Sequence, residues 1–121
     1  LTGYWGSGLK HTGWKDYGEN VPERLDRLSG EGMARVAVAF PDCFTKLYGN
    51  QYLNSAGSGR YGDYVCDEIV PFVETKFACG GHGRRGVFGK SSGGYGAAWH
   101  GMNRSDVWSA IAINSGDMGF D

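Results

Sequence analysis

The sequence predicts an α/β fold, a parallel central sheet with helices on both faces. Three observations carry this. The elements alternate helix, strand, helix, strand, helix, strand, the order that builds parallel sheets. The strand segments are short, apolar runs of small and β-branched residues, as in strands buried on both sides. A Gly-x-Ser-x-Gly run, Gly89-Lys90-Ser91-Ser92-Gly93, joins one of these strands to a helix. With 121 residues the chain has the length of one small domain, taken as a single unit over 1–121.

Leu1 to Trp14 reads as a loop rich in glycine and aromatic residues. Asn20 caps the first helix, with Pro22 in its first turn and Glu23 three residues after the cap. Leu25 and Leu28 give that helix its apolar face, and Ser29 to Gly32 ends it. Ala34 to Phe40 reads as a buried parallel strand stopped by Pro41-Asp42. Cys43 to Arg60 is a long polar and aromatic loop, of a length often associated with function. Tyr61, Val65, Ile69, Val73 and Phe77 recur at four-residue spacing and predict a helix. Pro71 should kink it, because the Asp67 carbonyl loses its partner. Gly86 to Gly89 is the second strand, Ser92 to about Asn103 the third helix, and Val107 to Ile113 the third strand. The loops at 1–14, 41–60 and 114–121 and the turn at Ser91 all fall at the carboxyl edge of the expected sheet, where sites form in this class.

The run around Ser91 has the context of a nucleophile elbow, with an apolar strand entering and a small-residue helix leaving. A side chain at 89 or 93 would collide with the neighbouring strand or helix, and glycine removes both collisions. The helix from Ser92 directs its free N–H groups and positive dipole end at the same point, which suits a developing oxyanion. A phosphate loop is the competing reading of Gly89-Lys90-Ser91. It requires a glycine five positions before Gly89, where Arg84 stands. A glycine-rich turn without chemistry is the other, since glycine makes up 22 of the 121 residues.

Composition narrows the classes further. The charge is balanced, 12 basic against 13 acidic residues, which gives no footprint for nucleic acid. No apolar stretch approaches the ~18 residues of a membrane span. Cys43, Cys66 and Cys79 are scattered, as are the three histidines, so no metal site is expected.

The ordered segments resemble the esterase D-like branch of the α/β-hydrolases, which includes S-formylglutathione hydrolases, feruloyl and acetyl esterases, enterochelin esterases and mycolyltransferases. Leu1-Thr2-Gly3-Tyr4 is similar to its oxyanion loop, although Thr2 stands where His or Asp is frequent. Val36 to Asp42, Tyr61 to Val73, Gly89 to Gly96 and Ser115-Gly116-Asp117 are similar to successive segments beyond it. The resemblance implies an incomplete α/β-hydrolase fold, cut at both ends. It implies Ser91 as nucleophile of a carboxylester hydrolase working through an acyl-enzyme, with the amides of Tyr4 and Ser92 as oxyanion hole. No metal or organic cofactor is implied, and the substrate is a small-molecule ester. The family's acid and histidine have no counterpart within the chain and are expected beyond residue 121.

The internal candidates fit those two roles poorly. His100 lies nine residues along the helix from Ser91, roughly 13 Å away at ~1.5 Å per residue. His82 belongs at the opposite sheet edge, and His11 reads as a surface loop residue. Asp117 reads as a turn cap at the end of the third strand, with an acid role the lesser alternative; Asp42 and Asp63 are weaker still. Trp5, Trp14, Tyr48 and Tyr52 divide between pocket lining and packing, whereas Trp99 and Trp108 are expected in the core. Lys90, beside the nucleophile, either biases the site toward anions or is simply exposed. An acyltransferase and a non-catalytic binding module of the same scaffold stand as alternatives to the hydrolase.

Overall fold

The structure is a computed structural model that describes residues 1–118. The first loop contains one 3-10 turn, Gly8–His11. Helix α1, Val21–Gly30, begins as its sequence dictates. The Asn20 side chain accepts from the Glu23 N–H at 2.9 Å, and Glu23 accepts from the Asn20 N–H at 2.8 Å. This reciprocal pair satisfies two amides that a helix start otherwise leaves open.

The segment read as a long loop carries a small antiparallel hairpin, β1 (Asn54–Ser55) and β2 (Gly59–Arg60). Gly59, where β2 leaves the turn at 56–58, stands at φ +117°, a backbone region that disfavours side chains. The long helix follows in three parts: α2 (Tyr61–Asp63), a π-helical segment (Tyr64–Ile69) and α3 (Val70–Phe77). The expected kink at Pro71 is replaced by this wider turn, in which the Val70 N–H reaches back to the Val65 carbonyl. The proline then stands in the first turn of α3, where a missing N–H costs nothing.

The site rests on the next three elements, β3 (Gly86–Lys90), α4 (Ser92–Asn103) and β4 (Ala110–Asn114). β3 and β4 pair in parallel, Gly86 opposite Ala110 through Lys90 opposite Asn114. Glycines on α4 permit its close approach to β4. A Cβ at Gly101 would stand 2.8 Å from the Ile111 side chain, and one at Gly94 2.8 Å from Gly116. The Arg85 guanidinium forks onto Glu74 at 2.6 and 2.8 Å and ties the end of α3 to the start of β3.

Two strand expectations are corrected. The third strand begins at Ala110 rather than Val107, because the Val107 and Trp108 N–H groups are taken by the Arg104 carbonyl in a turn. Ala34 to Phe40 joins no ladder among the described residues and is largely exposed, with Val36 at 58%. An extended segment becomes a strand only when a neighbour takes its N–H and C=O groups, and a groove separates residues 35–39 from β3. The described residues are thus a mixed helix and strand structure with two two-stranded sheets, in place of the three-stranded parallel sheet expected. The core gathers Leu1, Cys43, Tyr52, Val65, Val87 and Ala97, with Tyr61, Tyr64 and Trp108 packed against it. Trp99 is half-buried, and the side chain fully enclosed on α4 is His100.

Candidate active site

β3 stops at Lys90 and α4 starts at Ser92, so Ser91 alone makes the turn. It does so at φ 55°, ψ −124°, a strained conformation for a residue with a side chain. Its backbone is fixed on three sides. The Ser91 N–H donates to the Asn114 carbonyl at 3.1 Å, and its carbonyl accepts from the Tyr95 and Asp117 N–H groups at 3.0 and 3.3 Å. A Cβ at Gly89 would stand 2.0 Å from the Gly93 carbonyl oxygen, and one at Gly93 2.4 Å from the Leu1 carbonyl oxygen. The two glycines therefore let strand, helix and first loop meet within one turn.

The first loop lies directly over Ser91. A Cβ at Gly3 would be 3.4 Å from Ser91 Cβ and 3.8 Å from Ser91 Oγ. Gly3 is thus adjacent to Ser91, and Ser92 opens α4 directly after it. The Tyr95 N–H takes the Ser91 carbonyl, so the N–H groups of Ser92 to Gly94 precede the first intrahelical bond of α4. Ser91, Ser92, Gly89, Gly93 and Gly3 are consequently brought together, and Tyr4 follows Gly3 in the chain.

The loop is held by residues that sequence reasoning did not single out for this purpose. The buried Tyr52 hydroxyl accepts from the Thr2 N–H and donates to the Thr2 carbonyl, both at 2.9 Å. Tyr52 itself is held at φ 64°, with its N–H bonded to Asn50 Oδ1. The Tyr4 hydroxyl donates to the Leu47 carbonyl at 2.7 Å. No motif links position 52 to position 2; the tyrosine content of a long loop was the only available sign.

Asp117 meets both serines. Ser91 Oγ donates to its Oδ1 at 3.0 Å and Ser92 Oγ to its Oδ2 at 2.6 Å. The histidines are placed elsewhere. His11 packs on Phe40 and Phe88, ring centres 5.4 and 6.3 Å away, and His82 is exposed. His100 is fully buried, with Nδ1 3.4 Å from Cys66 Sγ. Burial pushes the imidazole pKa of His100 down and the thiol pKa of Cys66 up, so both stay neutral.

Of the candidate pocket aromatics, Tyr52 belongs to the core. Trp5 and Tyr48 are exposed and lie 4.8 Å apart between ring centres beside the first loop. Trp14 and Lys90 are also exposed. Cys43, Cys66 and Cys79 are free thiols, and among the described residues no three of His, Cys, Asp and Glu group to hold a metal ion.

Residues 4–118 match the family model described as Putative esterase. The chain belongs to that family, in agreement with the resemblance read from its segments. No curated protein matches it. Membership suggests carboxylic ester hydrolysis, with a small-molecule ester as substrate.

Proposed function

We propose that Ser91 is the nucleophile of a serine carboxylester hydrolase that works through an acyl-enzyme. Ser91 Oγ attacks the ester carbonyl as a histidine takes its proton. The tetrahedral oxyanion lies between the amides of Ser92 and Tyr4 and the positive end of α4. Its collapse breaks the ester C–O bond, and the alcohol leaves with the proton from the histidine. Water, activated by the same imidazole, then releases the acid and restores the serine. Among the described residues no histidine stands beside Ser91, so the imidazole and its acid partner are taken from the pattern of the resembling family. Asp117, which accepts from Ser91 in the resting arrangement, gives way to that imidazole.

The observation that carries this reading is the placement of Ser91. It makes the whole turn between β3 and α4 at φ 55°, and a Cβ on Gly3 of the first loop would stand 3.8 Å from its hydroxyl oxygen. The experiment compares hydrolysis of short nitrophenyl esters by the intact protein and its Ser91→Ala variant. Loss of the hydroxyl should lower turnover by on the order of 10⁴-fold or more. Residues 1–121 alone should show little hydrolysis. An active Ser91→Ala protein contradicts the assignment.

A further inference from the structure

Tyr52 is the residue through which the first loop meets α4. Its hydroxyl oxygen stands 2.9 Å from three atoms of Thr2: it accepts from the N–H, donates to the carbonyl and lies against Oγ1. Thr2 Oγ1 donates in turn to the Gly6 carbonyl at 2.8 Å, and the Gly6 N–H donates to the Gly3 carbonyl at 3.0 Å. Residues 3–6 are thereby closed into a turn whose first residue, Gly3, is the one beside Ser91. On its other side the Thr2–Tyr52 pair rests on two glycines three residues apart on one face of α4. A Cβ at Gly93 would stand 2.6 Å from the Thr2 carbonyl oxygen, and one at Gly96 2.9 Å from the Tyr52 ring. The loop, the tyrosine and the helix that starts beside Ser91 are therefore one packed unit.

Tyr52 is held here against its backbone preference. It lies in the left-handed region at φ 64°, an outlier for a bulky side chain. The buried Asn50 maintains it, with Oδ1 accepting from the Tyr52 N–H and Nδ2 donating to the Cys43 carbonyl, both at 2.5 Å. Backbone of this kind persists only where the surroundings over-determine it, and it clusters at functional sites. A phenylalanine would fill the same place in the core; only the hydroxyl reaches Thr2. Burial raises the phenol pKa, so the proton given to the Thr2 carbonyl stays in place.

We propose that Tyr52 is a positioning residue for ester hydrolysis: its hydroxyl sets the height of Gly3 and Tyr4 over Ser91, and with it the distance of the loop amide from the oxyanion. This rests on the reading of Ser91 as the nucleophile. Without the hydroxyl, the Thr2 N–H and carbonyl lose their partner, and the turn at residues 3–6 is free to move. Ester binding is little affected, because the amide tightens on the oxygen only as that oxygen becomes negative. Acylation and deacylation pass through the same oxyanion, so both steps slow together. A shift of about 1 Å is enough to cost up to about 100-fold in rate.

The test follows nitrophenyl acetate hydrolysis by the intact protein, with active sites counted by mass after labelling with a fluorophosphonate. Tyr52→Phe should lower kcat per labelled site about tenfold or more and leave KM within about threefold of the parent. Thr2→Val keeps Tyr52 and its packing and removes the bond to Gly6; it should lower kcat per site about fivefold. Thr2→Ser restores that hydroxyl and should return kcat to within about twofold of the parent. Tyr52→Phe decides the matter, and Thr2→Val decides it where Tyr52→Phe does not fold. Parental kcat per site in the deciding variant would overturn the proposal, as would a loss confined to KM or to the number of labelled sites. Hydrolysis that survives Ser91→Ala removes the nucleophile and the proposal with it. Loss in Ser91→Ala beside full activity in Tyr52→Phe overturns the role of Tyr52 alone.

Discussion

Ser91 holds its strained backbone because neighbours on both sides leave it no other path, and the two flanking glycines bear most of that constraint. The collision at Gly93 is with the Leu1 carbonyl, which belongs to the loop rather than to the helix. Gly93→Ala should therefore displace the first loop from Ser91 and destabilise the protein by about 1–3 kcal/mol. Gly30→Ala is the matched control. Its Cβ meets nothing within 4 Å and should leave the melting temperature unchanged or slightly raised. A Gly93→Ala protein that melts with the parent would show that the loop does not press on the turn. Ser91, Gly89 and Gly93 were legible because the turn is local and its steric demands fall within five consecutive positions. The Ser91–Asp117 bond spans 26 residues and the Thr2–Tyr52 bonds span 50. Such pairings depend on how distant loops pack, and no spacing rule encodes them.

At the scale of elements, helices with a local start were read closely. Asn20 and Glu23 define the beginning of α1 by their own hydrogen bonds, whereas the glycines that open α4 favour a helix only weakly and serve its close packing on β3 and β4. The long helix was legible in its four-residue apolar spacing, but not in its π-helical middle. There the backbone widened ahead of Pro71, where a kink in an α-helix was expected. Strands fared less well, since a strand is completed by a neighbour. Val107 to Ile113 has strand composition, yet pairing with β3 begins only at Ala110. Ala34 to Phe40 has the composition too and lies beside an empty groove. The hairpin β1–β2 is only two residues deep on each side, below what apolar alternation can reveal.

Across the whole molecule, the buried basic groups give stability one direction with pH below 8. The Leu1 ammonium is lowered from 8.0 to about 6 by burial, and burial is also the largest influence lowering His11 and His100 below 6.5. Each is a base whose folded pKa lies below its unfolded value, so the unfolded chain binds more protons as pH falls. Stability of the 121-residue protein should be fullest near pH 8, because the buried Cys43 and Cys66 thiols, pushed up by burial, withdraw stability once pH rises through their ordinary range. It should decline as pH drops toward 6, by about 2–3 kcal/mol from the ammonium alone, with the histidines adding to the loss below 6.5. Glu74, held at about 2 by the Arg85 guanidinium, loses its contribution from pH 4.5 downward. Urea unfolding at pH 8.5, 7, 6 and 5 measures the trend, and a stability maximum near pH 6 would contradict it. Chain extension ahead of Leu1 should remove the portion between pH 8 and 6 and keep the histidine portion.

One hydroxyl carries the proposed reaction, and the mass of the intact protein during the first turnovers of a slowly deacylated nitrophenyl ester reports on it. A transient adduct equal to one acyl group, mapped by peptide fragmentation to Ser91, is expected. An adduct on another residue, or ester turnover with no adduct at Ser91, would contradict that reaction.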